Sequence, residues 1–303
     1  MAIGTAMVVL SSQFPVIRRV SEYSVHLMLM LLAIGMSALL INKKRIMFTA
    51  LACSAMLCVF LKDASNSQLK LTEETTATKI KVAHVNLANV TYDFEEVTDK
   101  LKALSVDVVI FQELTPNWVS LLKERMKDQY PYSQSKVRID PYGMAVYSRI
   151  GLSSCYFFES EGIPNINATV NKNGTLFQII SSYLTPALDN ASIQKASDQL
   201  DVIASKITST KLPIIALGEY NMVYWTNELK TFRSSTRLTN SRRDISQSNL
   251  RVPYDHIFFS DKLVCTSFDE VVVDNQYLGI FGTYQIKPAK EHHTLNSQLS
   301  RKM

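Results

Sequence analysis

A chain of 303 residues with 47% apolar side chains is long and hydrophobic enough to bury a sizeable core, which excludes a disordered or low-complexity protein. Its formal net charge of +5 comes from 32 basic and 27 acidic residues scattered along the chain, too diffuse for a nucleic-acid footprint. Four cysteines, Cys53, Cys58, Cys155 and Cys265, form neither a disulfide framework nor a metal-ligand spacing, and Cys155 and Cys265 read as buried thiols, with pairing in an oxidising compartment the alternative.

Residues 1–62 read as a membrane region. The run 23–41, YSVHLMLMLLAIGMSALLI, contains no Asp, Glu, Lys or Arg and approaches the roughly 20 residues a transmembrane helix needs. After Asn42-Lys43-Lys44-Arg45, the run 46–61 reads as the return half of a helical hairpin. A third patch, 2–17, is weaker, because Ser11, Ser12, Gln13 and Pro15 interrupt it, so the expectation is two spans with this patch as an optional third. The length and doubling of the runs, and the lack of a small-residue cleavage site, argue against a secretory signal. Lys43, Lys44 and Arg45 should stay in the cytoplasm, placing the C-terminal domain on the outer side of a cytoplasmic (inner) membrane, although Arg18 and Arg19 count against that orientation.

Residues 63–78 are polar and aperiodic and read as a linker. From residue 79 to 288 the pattern is regular. Strands are predicted at 80–87, 106–111, 144–147, 175–183, 213–217, 254–259 and 278–286, and helices at 94–104, 118–126 and 192–206. Strand–helix alternation with several strand-to-strand neighbours predicts an α/β domain of two packed sheets with helices outside. Residues 289–303 read as a tail.

The segment LPIIALGEYN, residues 212–221, is the most informative for function. An apolar run that stops at Gly218, Glu219, Tyr220 and Asn221 reads as a buried strand that delivers a carboxylate and a carboxamide to the rim of a sheet. It resembles the Gly-Asp-aromatic-Asn signature of the endonuclease/exonuclease/phosphatase superfamily, with Glu219 where that family has Asp. Other motifs follow in the family's order. His84-Val85-Asn86-Leu87 resembles the opening strand, and Asn86 takes the role of orienting a metal site. Val108-Val109-Ile110-Phe111-Gln112-Glu113 resembles the second strand, which makes Glu113 the implied metal ligand. Gly143 to Arg149 resembles a structural strand, Asn221 matches the family Asn, and Asp255 in Pro253-Tyr254-Asp255-His256 matches an Asp that begins a late strand. Tyr183 stands where many members have His, although the abasic-site endonuclease branch has Tyr. The resemblance implies a four-layer α/β sandwich of the deoxyribonuclease type and metal-dependent phosphoric ester hydrolysis.

Three departures matter. Glu219 adds one methylene to the residue that positions the attacking water, and a misplacement of about an ångström can cost roughly a hundredfold. Asn275-Gln276-Tyr277 stands where the family has Ser-Asp-His, so Gln276 and Tyr277 remove a carboxylate and a near-neutral proton donor. An alternative alignment puts Glu291-His292 in that role. Blander readings stand beside these: Glu113 alone is an ordinary rim carboxylate, Asp255 caps a turn after Pro253, Arg242-Arg243 is a solvated turn, and the sequons at Asn89, Asn167, Asn173 and Asn190 arise by chance. His256 points away from the Asp255 carboxylate by strand alternation, into packing or solvent.

The leading expectation is a membrane-anchored family member, catalytically impaired or inactive, that acts as a binding or accessory protein. One rival is an active phosphodiesterase or phosphatase using magnesium or manganese on a lipid phosphate or nucleic acid, with Asn86, Glu113, Glu219, Asn221 and Asp255 as a reduced site. The other is a structural subunit of a membrane complex. The expected partners are the lipid bilayer and a membrane protein, with nucleic acid the least favoured.

Overall fold

The computed structural model describes residues 1–10, 15–64, 66, 69–90, 94–243 and 251–287. Four helices open the chain: α1 (Ala2–Leu10), α2 (Pro15–Glu22), α3 (Ser24–Leu40) and α4 (Lys44–Ala64). The domain follows as β1 (Lys79–Asn86), α5 (Phe94–Ala103), β2 (Val108–Gln112), α6 (Pro116–Met126), β3 (Tyr132–Lys136), β4 (Met144–Ser148), β5 (Gly151–Ser160), β6 (Ile163–Lys172) and β7 (Thr175–Ser181). It continues with α7 (Asn190–Thr208), β8 (Ile214–Glu219), α8 (Asn227–Thr236), β9 (Thr239–Asn240), β10 (Asp255–Phe259), β11 (Leu263–Val273) and β12 (Gln276–Ile286).

Two six-stranded mixed sheets pack face to face, in the orders β11-β12-β1-β2-β4-β3 and β5-β6-β7-β8-β10-β9. Each is built around one parallel pair, β1 with β2 and β7 with β8, flanked by antiparallel partners. Along β2 the alternation explains the apolar run: Val108 and Ile110 enter the core between the sheets, while Val109 and Phe111 face the helix layer. A strand buried on both faces has no polar side to show. The inter-sheet core joins Val82, Ile110 and Val146 to Ile166, Ile179, Leu217 and Ile257. Helices α5 and α6 cover the outer face of the first sheet through Val97, Leu101, Leu122 and Met126, and α7 and α8 cover the second through Leu200, Ile203, Leu229 and Phe232. This is the expected four-layer α/β sandwich.

The sequence pattern did not reveal β3, β5, β6, β11 or α8. Strands β5 and β6 carry Ser, Asn, Glu and Lys through GLSSCYFFES and IPNINATVNK, and their turn is Glu161-Gly162 with both residues at positive φ, a type I′ geometry without its usual Asn-Gly signature. All four cysteines are free, and burial pushes the thiols of Cys155 and Cys265 up to about 11 and about 12.

At the N-terminus the balance of the two runs is the reverse of expectation. Helix α3 has 17 residues, whereas 44–62 within α4 is long and apolar enough to cross a membrane, at a mean hydropathy of 1.7. The patch 2–17 is divided between two helices, the first of 9 residues, too short to span by itself. Helices α3 and α4 pack closely through Leu31, Cys53 and Leu57. In the segment read as a linker, the Thr72 N–H donates to the Cys265 carbonyl at 3.1 Å and the Thr75 N–H to Gln285 at 3.0 Å. Residues 289–303, and with them Glu291-His292, lie outside the described residues.

Candidate functional site

Parallel strands end where antiparallel ones begin, so β1, β2 and β8 finish at the same rim at which β10 and β12 start. The topology thereby gathers residues far apart in sequence: Asn86 ends β1, Glu113 follows β2, Glu219 ends β8, Asp255 opens β10 opposite Glu219, and Tyr277 lies at the start of β12. Asn86 Nδ2 donates to Glu113 Oε1 at 2.9 Å and to Glu219 Oε2 at 2.6 Å, so one carboxamide ties the two sheets together. Gln112 does the same one step deeper: its Nε2 donates to the Ser182 carbonyl at 2.9 Å while its Oε1 accepts the Glu219 N–H at 3.0 Å.

Close approach of the sheets dictates the backbone here. Gly218 has φ +142, and a Cβ added to it would lie 2.2 Å from the Ser182 carbonyl oxygen. Glu113 and Asn221 both sit at positive φ, 59 and 49, a cost that surrounding structure must hold in place. Asn221 Nδ2 donates to the Leu184 carbonyl at 2.9 Å, and Tyr183 hydrogen-bonds Asn221. Burial, reinforced by the charges of Glu219 and Glu113, raises the Tyr183 phenol above its ordinary range.

Asp255 is enclosed. His84 Nε2 donates to its Oδ1 at 3.0 Å, the Tyr277 hydroxyl donates to its Oδ2, and Arg251 lies 3.9 Å from Oδ2 with its guanidinium stacked 3.7 Å over the Tyr277 ring. Burial opposes the charged carboxylate, but the His84 hydrogen bond and the field of that ring, with Tyr277, outweigh it and hold the carboxyl down to about 2. Glu219 goes the other way: burial first, and the Asp255 charge second, push it up to about 7. Burial and Asp255 also raise the Tyr277 phenol well above its usual range, so it stays protonated at neutral pH.

The remaining residues named from sequence are spoken for. Gln276 Nε2 donates to the Asn89 carbonyl. His256 is buried, its Nε2 donating to the Met222 carbonyl at 2.8 Å and its Nδ1 facing Asn240 Nδ2 at 3.3 Å, and desolvation lowers it to about 4. It packs, as strand alternation predicts. Three participants were missed. His84 lies two residues before Asn86 and so on the same strand face, but a histidine inside an apolar run reads as core. Gln112 is opposite Asn86 in the β1–β2 register, which only the pairing reveals. Arg251 comes from a loop and has no local signature.

A carboxyl whose folded value rises from 4.5 to about 7 gives support that is complete below 4.5 and lost as pH climbs through about 7. Glu219→Gln keeps an acceptor for Asn86 and removes the buried charge. It is expected to stabilise the protein by roughly 1–3 kcal/mol at pH 8, discounted for partial solvent access, with the gain fading towards pH 4.5. Thermal unfolding of both forms at the two pH values checks this.

The sequence profile of the Endonuclease/Exonuclease/phosphatase family matches residues 83–278, which span the rim strands and all three sheet-end carboxylates. No curated protein matches the chain. Among solved structures, an endonuclease/exonuclease/phosphatase from Beutenbergia cavernae superposes with a TM-score of 0.57 at 14% identity, over 69% of this chain and 72% of that one. A family protein from Bacteroides thetaiotaomicron gives 0.56 at 15% identity, over 73% and 99%. The human Nocturnin catalytic domain, solved with a bound sulfate anion, gives 0.54 at 16% identity, over 69% and 95%. The superpositions establish a common fold, and the profile match, covering most of the chain, makes this protein a member of the endonuclease/exonuclease/phosphatase family.

Proposed function

We propose that this protein is a membrane-held member of the family that binds a ligand or partner at the sandwich rim and has little or no hydrolase activity. The observation that carries the reading is the enclosure of Asp255, whose two carboxylate oxygens are already taken by His84 and Tyr277. Burial pushes the Glu219 carboxyl up to about 7, and its Oε2 accepts from Asn86. A hard divalent cation such as magnesium or manganese wants several free carboxylate oxygens. The described residues contain no group of three or more His, Cys, Asp or Glu arranged to hold one, and Glu113 by itself is a poor site. The donor set therefore does not fit a tightly held catalytic metal. Neither Tyr183 nor Tyr277 replaces an imidazole as a proton donor near pH 7, because both phenols are raised. Helix α4, with α3 packed along it, supports the membrane attachment.

The full chain in detergent, titrated with magnesium and manganese by calorimetry, is expected to show no binding up to millimolar concentration and no turnover of plasmid DNA or a generic bis-phosphodiester. Micromolar binding with turnover that Glu113→Ala abolishes would establish the second reading, an active metal-dependent phosphodiesterase or phosphatase. That reading has one observation in its favour, the Asn86 bridge that holds Glu113 and Glu219 side by side.

A further inference from the structure

We infer that the N-terminal helical arm is a positioning element of the candidate site, acting on Asn221 and Asp255 through Trp225 and Tyr254. The arm touches the domain at the two segments that carry those residues. Trp225, four residues after Asn221, donates its indole N–H to the Ser21 carbonyl of α2 at 2.8 Å. Tyr254, immediately before Asp255, donates its hydroxyl to Glu22 Oε2 at 2.8 Å. Arg18, only 1% exposed, pairs with Glu228 in the first turn of α8, just beyond the same loop. Val25 of α3 and Leu61 of α4, with Met28 and Phe60, close an apolar cluster over Val223, Tyr224, Trp225, Val252 and Tyr254.

From these anchors the path to the site is short. The Tyr254 carbonyl accepts the N–H of Tyr220, the residue between Glu219 and Asn221, at 2.9 Å. The Met222 carbonyl accepts His256 Nε2, next to Asp255, at 2.8 Å. The loop 220–226 and the segment 252–256 are thus bonded to each other, with the arm packed on their far side. Asn221 needs such a clamp, because its positive φ persists only where neighbouring structure over-determines it. A passive tether needs neither a buried arginine pair nor an indole and a phenol bonded into the helix end. The inference holds whether the rim binds a ligand or turns it over.

Hydrogen exchange of the full chain in detergent tests this locally, with β6 and β7 as internal reference. Arg18→Glu breaks the buried pair, and exchange at 219–226 and 251–257 is expected to rise by about a hundredfold while β6 and β7 stay unchanged. Glu228→Arg should do the same. The double charge swap should return both segments to the parental rate, which general loss of fold would not allow. Tyr254→Phe, which removes one hydroxyl and nothing else, should speed exchange at 251–257 by roughly threefold to tenfold, and it decides the question if Arg18→Glu does not fold. Unchanged site segments, or an equal rise in the reference strands, would show that the arm supports the domain as a whole or not at all, and would overturn the inference.

Discussion

Introduced together, Glu219→Asp, Gln276→Asp and Tyr277→His are expected to give this protein manganese binding and a hydrolase rate on a bis-phosphodiester about a hundredfold or more above that of the parent. The scaffold is present: Asn86, Glu113 and Asn221 occupy the rim, and Asp255 faces Glu219 across the β8–β10 pair. What is missing is free charge. Shortening Glu219 withdraws its carboxylate from the buried contact with Asn86, aspartate at 276 adds a second carboxylate to the rim, and histidine at 277 supplies a proton donor that titrates near neutrality. Each single change should do little, since groups that act as one unit are strongly non-additive. Calorimetry and a steady-state assay on the parent, the three single variants and the triple variant check the point. A folded triple variant that binds no metal would mean that residues 275–277 do not correspond to the family's last motif.

The fold was legible where strands are buried on both faces. VVIFQ and IIALGE are uninterrupted because the layers above and below them are both dry, and a run of that kind reads directly as a central strand. The edge strands β3, β5 and β11 each pair only with the strand that follows them in the chain, carry polar residues out of strict alternation, and are far less buried than the central strands. At the site, Asn86, Glu113 and Asp255 were legible only through the ordered motifs that resemble the family's, whereas Glu219 and Asn221 were also marked by the apolar run they end. His84 was not, since a histidine inside such a run looks like core. Its meaning comes only from Asp255, 171 residues away and in the opposite sheet. The replaced Gln276 and Tyr277 were visible, but not that the new phenol would close on Asp255.

Removing the His84 ring should destabilise the protein more than any other single change at the rim, with His84→Ala expected to cost about 3–5 kcal/mol. Asp255 is 2% exposed, so water cannot replace the lost Nε2 donor, and the Tyr277 hydroxyl satisfies only the other oxygen. The pH dependence identifies the cause. A carboxyl held down to about 2, against an ordinary 3.8, contributes stability in full above 3.8, and the contribution is lost as pH falls through about 2. The difference between parent and His84→Ala should therefore be widest above about pH 4 and close as the pH approaches 2; a gap that is constant with pH would assign the loss to packing alone. In a double-mutant cycle, His84→Ala with Asp255→Ala should cost less than the sum of the single changes, because the second substitution removes the charge that the first left unpaired. Chemical denaturation at a series of pH values supplies every term. If the cycle closes with that sign, the His84–Asp255–Tyr277 network is a structural tie between the two sheets, which is stability drawn from a carboxylate at the rim of the candidate site.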